Sequence, residues 1–175
     1  MDIKKRLEET AKGQIDLHIG GAAGKGSLTR FGGAPDLPEG FEWPRYGYGD
    51  EMPLPLAFLA QFDCSGLAKH DKDGLLPHEG VLSFFYEYRS QRWGYDPKDE
   101  GCARVYWFKD ISGLKPVAFP ADLPEDCRFP ALSIGLSDGR SVMPPADAEM
   151  AWQTDIDYDD FETIRRRMGC GEPEN

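Results

Sequence analysis

Residues 80–88 constrain the fold more than any other part of the chain, because they are rich in branched and aromatic residues. Alternate side chains of a strand point to opposite faces, and both faces of this segment begin with apolar residues. The far end is amphipathic, with Glu87 between two tyrosines. The pattern predicts a central strand of a sheet whose end reaches solvent.

Two other aromatic segments, residues 54–63 and 103–108, are expected to pair with this strand. We therefore predict that the stretches around Phe58, Phe84 and Tyr106 lie side by side as one hydrogen-bonded ladder. Strict alternation divides residues 54–63 between two faces. Leu56, Phe58, Ala60 and Phe62 share one face, and Ala57, Leu59, Gln61 and Asp63 share the other.

Weaker patterns predict the remaining elements. Residues 14–19 alternate and indicate a half-buried or edge strand, and residues 114–119 and 129–136 indicate two further short strands. Residues 137–140 are typical of a turn, and the prolines at 144 and 145 then break the pattern. Residues 65–77 form a polar connection with room for one helical turn.

Helical spacing appears near both ends of the chain. Apolar residues four apart predict a helix over residues 2–12, with Asp2 near its start and Gly13 after its end. Asp157 is a candidate N-cap of a second helix that ends at Gly169. Its apolar stripe consists of Tyr158, Phe161, Ile164 and Met168.

The chain has 175 residues, enough for one domain with a substantial core, and a formal net charge of −11. This charge disfavours nucleic acid and anionic membrane surfaces as partners, because both require a basic patch. A basic protein or a cationic small molecule is compatible with it, and so is a solvated acidic surface without a partner. The 20 glycines and 14 prolines indicate β structure with long connections.

Neither the cysteines nor two motif-like segments indicate a cofactor or a metal. The four cysteines form no C-x-x-C pair, which disfavours zinc, and the charged first ten residues do not resemble a secretion signal. Free thiols in a reducing cytoplasm are therefore expected. Residues 20–27 lack the glycine and the Ser or Thr of a phosphate loop, and residues 71–74 do not fit the calcium-loop spacing.

Three places offer candidate binding residues. Gln61 and Asp63 are polar residues on a largely apolar strand, and they can either anchor a loop or line a pocket. Trp93 and Asp96 belong to an acidic, aromatic loop that either is simply solvated or binds a ligand. Trp43 lies in a proline-rich stretch, residues 32–44, where Leu37, Phe41 and Trp43 serve as apolar pegs or as a binding platform.

Several of these segments together resemble the YwqG-like family of uncharacterised bacterial proteins. The resemblance rests on Gly32-Gly33-x-Pro35-x-Leu37-Pro38-x-Gly40-x-x-Trp43-Pro44, on Leu59-Ala60-Gln61, and on Leu76-Pro77-x-x-Gly80-x-Leu82-x-Phe84-Phe85. It implies an α+β fold with a mostly antiparallel β-sheet and a cytoplasmic location. Together with the patterns above, it predicts an N-terminal helix, a C-terminal helix and long Pro/Gly-rich loops. No activity is established for the family, so no catalytic residue is carried over.

The resemblance also bears on domain organisation. We expect residues 1–175 to form a single YwqG-like domain that lacks the second section of longer relatives. An exposed sheet edge or apolar face would then be covered by a second copy or by another protein.

The favoured function is a non-catalytic binding or interaction module with a protein partner or a homodimer, and without nucleic acid or a membrane. One concrete version neutralises a basic, toxin-like partner. The alternative is a small-molecule enzyme with a cleft lined by Gln61, Asp63 and the loop from Asp96 to Glu100. A calcium- or sugar-binding module is a third class. No catalytic residue, cofactor or metal ligand is predicted, and the candidate binding residues are Trp43, Gln61, Asp63, Trp93 and Asp96.

Overall fold

The computed structural model describes residues 2–49 and 51–170. Within them the chain has an α+β fold with four α-helices and a mostly antiparallel six-stranded sheet, as predicted. The helices are α1 (Ile3–Thr10), α2 (Cys64–Leu67), α3 (Pro145–Trp152) and α4 (Tyr158–Arg167). None of these four helices is long and apolar enough to cross a membrane.

Ten strands form three sheets in the described part of the chain. They are β1 (Lys12–Ala22), β2 (Arg30–Phe31), β3 (Asp36–Leu37), β4 (Arg45–Tyr46), β5 (Leu54–Pro55), β6 (Ala57–Asp63), β7 (Val81–Tyr86), β8 (Ala103–Phe108), β9 (Lys115–Pro116) and β10 (Leu132–Ser141). The large sheet has the order β1-β10-β2-β6-β7-β8, and β3–β9 and β4–β5 form two-stranded sheets.

The described residues divide into two compact units. The helical unit comprises residues 2–16, 70–75 and 137–170, and it contains α1, α3 and α4. The sheet unit comprises residues 17–49, 51–69 and 76–136, and it contains β2 to β9.

The predicted aromatic ladder is confirmed. Strand β7 pairs antiparallel with β6 on one side and with β8 on the other. Phe85 lies opposite Phe58 of β6, with the ring centroids 5.4 Å apart. Strands β1 and β8 are the two edges of the sheet, which confirms the edge position expected for residues 14–19.

Strict alternation is wrong for β6, because a bulge between Phe58 and Ala60 interrupts its pairing with β7. Phe58 lies opposite Phe85 and Gln61 lies opposite Ser83, and these two β7 residues share one face. The extra residue of the bulge therefore brings Gln61 onto the face of Phe58, although alternation assigns them to opposite faces.

A buried polar network occupies this face of the sheet. Arg30 donates to the carboxylate of Asp36 at 2.8 Å and to the carbonyl oxygens of Ala34 and Ser27. The backbone N–H of Asp36 donates to Gln61 Oε1 at 2.9 Å, and Gln61 Nε2 donates to the same carboxylate at 3.3 Å. All three side chains are buried, so the network satisfies a charge pair that would otherwise be costly to desolvate.

The proline-rich crossing, residues 32–44, covers this network. Leu37 is fully buried in the core, and Phe41 and Trp43 pack against the same cluster, as expected for apolar pegs. Trp43 also donates its indole N–H to the carbonyl of Leu56 at 2.9 Å. The crossing begins at Gly32, which has φ +58° and whose missing Cβ would lie 2.3 Å from the carbonyl oxygen of Pro130. A residue with a Cβ atom would clash at this position and would be strained at this φ.

Both predicted helices are confirmed in the helical unit, where α1 and α3 pack against α4. Asp157 caps α4 by accepting from the N–H groups of Asp159 and Asp160, and Gly169 follows the helix with φ +74°. The helices enclose one apolar cluster. Its buried members are Leu7, Val142, Ala148, Ile156 and Phe161.

Three predictions about local structure are corrected. Helix α3 was not foreseen, because Pro145 looks like a breaker but occupies the first turn, where no N–H is needed. The predicted turn at residues 137–140 is wrong, because these residues continue β10 to Ser141. The expected strand at residues 54–63 is divided into β5 and β6.

An aspartate in the mis-assigned turn has two side-chain partners within the helical unit. Asp138 accepts from Lys72 at 2.8 Å and lies 2.7 Å from His70 Nδ1. The hydrogen bonds from Lys72 and then from His70 lower the pKa of Asp138. Because long-range contacts supply its partners, a turn-like sequence can extend a strand here.

Replacing Asp36 with Ala leaves Arg30 buried without its carboxylate. We expect the free energy of unfolding to fall by roughly 3–5 kcal/mol, measured by urea denaturation. Asp122→Ala is the matched control, since Asp122 forms an exposed pair with Arg45 at the same 2.8 Å. A loss at Asp36 no larger than the loss at Asp122 would show that burial of the pair is unimportant.

The lowered pKa of Asp138 predicts a pH-dependent contribution to stability. Because the folded Asp138 carboxyl binds its proton less tightly than the unfolded one, the contribution is present above the ordinary carboxyl pKa and is lost as the pH falls through the lower pKa of the folded state. Asp138→Asn should therefore destabilise the protein more at neutral pH than at about pH 3, below the ordinary carboxyl pKa. Denaturation at both pH values tests this, with exposed Asp155→Asn as the control; equal effects at the two pH values would contradict it.

Candidate binding surface

The connection between β7 and β8, residues 87–100, presents two large aromatic side chains to solvent. We call it the aromatic loop. Trp93 and Tyr95 are 83% and 87% exposed, and their rings stack with centroids 6.4 Å apart. Exposed tryptophan is unusual on a surface without a partner, because the ring loses much favourable burial.

The base of this loop is held by hydrogen bonds to its backbone. Tyr86 donates its hydroxyl to the carbonyl of Arg92 at 2.7 Å, and Tyr46 donates to the carbonyl of Lys98 at 3.0 Å. Glu87 accepts from the N–H groups of Arg89 and Ser90, which forms a tight turn after β7. The aromatic pair is therefore displayed on an anchored loop.

An ion pair between half-buried Arg92 and buried Asp99 lies within the aromatic loop. Arg92 Nε is 4.0 Å from Asp99 Oδ1, and its guanidinium lies 3.7 Å from the ring centroid of Tyr48. Asp99 is buried and accepts from the N–H of Gly94 at 3.2 Å. Burial raises the pKa of the adjacent Cys102 thiol, and the charge of Asp99 raises it further, so this thiol stays protonated at neutral pH.

A small cavity adjoins the start of the loop. It has a volume of about 170 Å³ and is lined by tyrosines at positions 46, 48 and 88, with Glu51 and Glu87 also contributing. We call it the tyrosine-lined cavity. Cys127 is a buried part of its wall, and desolvation raises the pKa of that thiol. The cavity therefore offers aromatic and acidic groups, and its neutral thiol is a poor nucleophile.

Two of the predicted binding residues lie on one loop, and two others make hydrogen bonds elsewhere in the sheet unit. Trp93 and Asp96 lie on the aromatic loop, where Asp96 accepts from the N–H of Lys98 at 2.9 Å. Gln61 is bound to Asp36, as described above. Asp63 caps α2 by accepting from the N–H of Ser65.

The cleft expected for a small-molecule enzyme finds no support in these contacts. Within the described residues, no hydrogen bond joins Gln61 or Asp63 to the loop from Asp96 to Glu100. Trp43 lies half-buried in the core cluster and does not form an exposed platform. In residues 2–49 and 51–170, no group of three His, Cys, Asp or Glu side chains is arranged to hold a metal ion.

Sequence reasoning missed the tyrosine-lined cavity and the ion pair within the loop. The alternation of tyrosine and glycine at residues 46–49 was the available signal, because tyrosines beside glycines often occur in binding loops. The sequence does not show which residue pairs with Arg92, because several carboxylates lie close to it along the chain. The four cysteines are free thiols, as expected.

Comparison with known protein families matches most of the chain. The family model described as Domain of unknown function (DUF1963) matches residues 29–166, which include both the aromatic loop and the proline-rich crossing. No curated protein matches the chain.

The ion pair predicts how the loop is ordered. Arg92→Ala removes the cover of Tyr48 and leaves the carboxylate of Asp99 buried without a cation. We expect faster amide hydrogen exchange in residues 88–101, with unchanged exchange in β6. Exposed Arg89→Ala in the same loop is the control, and equal exchange in the two variants would contradict a role for the pair.

Proposed function

The chain belongs to the DUF1963 family, and we propose that it is a non-catalytic binding module that engages a basic protein partner through the aromatic loop. The observation that carries this proposal is the stacked, solvent-exposed pair of Trp93 and Tyr95. Tryptophan and tyrosine are the residues that most often dominate the energy of protein interfaces, since each buries a large rigid surface on binding.

The anchored base of the loop supports a role in recognition. Hydrogen bonds from Tyr46 and Tyr86 fix the backbone on either side of the aromatic pair. A loop that is already ordered loses less conformational entropy when a partner binds. The aromatic pair of Trp93 and Tyr95 is therefore already positioned for contact with a partner.

The net charge of the whole chain favours a basic partner. Glu51, Asp96 and Glu100 are exposed around the aromatic pair and the tyrosine-lined cavity, Arg89 and Lys98 are exposed there too, and the whole chain has a net charge of −11. An acidic surface attracts a cationic segment during the encounter and repels acidic competitors. The site thus combines aromatic contact area with charge selectivity.

The cavity size favours a protein side chain over a metabolite. Sites for small molecules usually enclose about 300–1,000 Å³, whereas the tyrosine-lined cavity has about 170 Å³. One apolar or cationic side chain of a partner fits this space, and its aromatic walls suit a cation. The proposal therefore assigns partner contacts to Trp93 and Asp96, and it assigns structural roles to Trp43, Gln61 and Asp63.

The wider setting is part of the same proposal. We infer that the chain is a YwqG-like bacterial protein of the cytoplasm that acts as a single domain. One concrete function is neutralisation of a basic partner. Neither nucleic acid nor a membrane surface is proposed as a partner, since the acidic charge opposes both.

A short basic peptide with a central leucine between two lysines tests this binding mode. We expect it to shift the backbone amides of residues 87–96 and the indole N–H of Trp93 in NMR titrations. Replacing both Trp93 and Tyr95 with Ala should weaken binding at least about tenfold, because two aromatic contacts are lost. Circular dichroism should remain native-like, since both side chains are exposed.

Two controls define the outcome. Met150→Ala removes an equally exposed apolar side chain from the helical unit and should leave binding unchanged. The matched peptide with glutamates in place of lysines should bind more weakly. Equal binding of the two peptides, or equal effects of the two variants, would overturn the proposed recognition.

A further inference from the structure

Strand β8 leaves one row of backbone groups unpaired at the edge of the large sheet. The N–H of Glu87 donates to the carbonyl of Cys102 at 2.7 Å, which fixes the hydrogen-bonding phase between β7 and β8. By alternation, the even-numbered residues of β8 bond to β7 and the odd-numbered residues point their N–H and C=O groups outward. These are Ala103, Val105 and Trp107. Within the described residues, β8 has no second strand beside it.

The same outward-bonding residues carry exposed apolar side chains. Val105 is 56% exposed and Trp107 is 49% exposed, and both lie on one face of β8. Trp107 already donates its indole N–H to the carbonyl of Glu79 at 2.9 Å, so its exposed surface is apolar. Edge strands are normally protected by charges, prolines or bulges, but the six residues of β8 contain only one charge, Arg104.

We propose that β8 pairs antiparallel with β8 of a second copy of the chain, about a two-fold axis at Tyr106. In this register, Val105 of each copy lies opposite Trp107 of the other and exchanges both backbone hydrogen bonds with it. The two exposed apolar side chains of each copy thereby cover those of its neighbour. A two-fold axis closes the β8 edge at a dimer, and β1 remains the outer edge of the sheet in each copy.

The apolar side chains themselves support a second copy as the occupant. In the two-fold register the large ring of Trp107 lies opposite the smaller side chain of Val105, and each copy supplies both members of the pair. This match opposes the repulsion between two copies that each have a net charge of −11.

The pairing uses neither the aromatic pair nor the tyrosine-lined cavity, so it stands independently of the partner binding proposed above. One strand pair with four apolar side chains in contact buries less surface than a standard interface. We therefore expect a reversible dimer with a dissociation constant of roughly 10–100 µM. Partner binding through the aromatic loop remains available in each copy.

Sedimentation equilibrium of the full chain over a wide concentration range tests the pairing. Wild-type protein should shift from monomer to dimer, and Val105→Lys should raise the dissociation constant at least about tenfold, because it places a cation in the apolar contact. Leu17→Lys is the matched control, since Leu17 is a 45% exposed apolar residue on the opposite edge strand. It should leave the dissociation constant unchanged.

A pair of introduced charges tests the register itself. Val105→Lys and Trp107→Glu should each weaken the dimer, and the double variant should recover part of the lost affinity, because the introduced cation and carboxylate then lie opposite each other across the two-fold axis. Thermal melts identify any variant that fails to fold, and the remaining variants still decide the outcome. A wild-type monomer at about 1 mM, weakening by Leu17→Lys instead of Val105→Lys, or a double variant without recovery would each overturn the proposal.

Discussion

Three polar side chains buried in the sheet unit hold together the parts that the core alone would leave loosely joined. Arg30 comes from β2, Asp36 from β3 and Gln61 from β6, and their hydrogen bonds connect the large sheet to the proline-rich crossing. Apolar packing is non-directional, whereas a guanidinium and a carboxylate bind in a defined geometry. The network therefore fixes where the crossing lies over the sheet, and with it the positions of Phe41 and Trp43.

The bulge in β6 makes this arrangement possible. Without the extra residue, Gln61 would point to the opposite face from Phe58, and the amide could not reach Asp36. The two faces of the sheet consequently differ. One face is sealed by the crossing, with Tyr106 and Phe108 packed against Phe41, while Val105 and Trp107 on the other side of β8 remain partly exposed.

Two exposed apolar features thus belong to the same strand pair. The aromatic loop follows β7, and the unpaired edge of β8 begins directly after the loop. Both features adjoin the hydrogen-bonded pairing of β7 with β8. A surface of this kind suits recognition of proteins, because preorganised aromatic groups bind with little loss of entropy.

The sequence by itself determined the secondary structure wherever one period dominated: the three aromatic strands, the two terminal helices and the capping of α4 by Asp157. It also marked Trp93 and Asp96 as neighbours on one acidic loop. Only the tertiary structure decided the bulge, the continuation of β10 through residues 137–140, the role of Gln61 and the tyrosine-lined cavity. The reason is physical. Periodicity reports local backbone geometry, whereas these features depend on partners that are distant along the chain, such as Asp36 for Gln61 and Lys72 for Asp138.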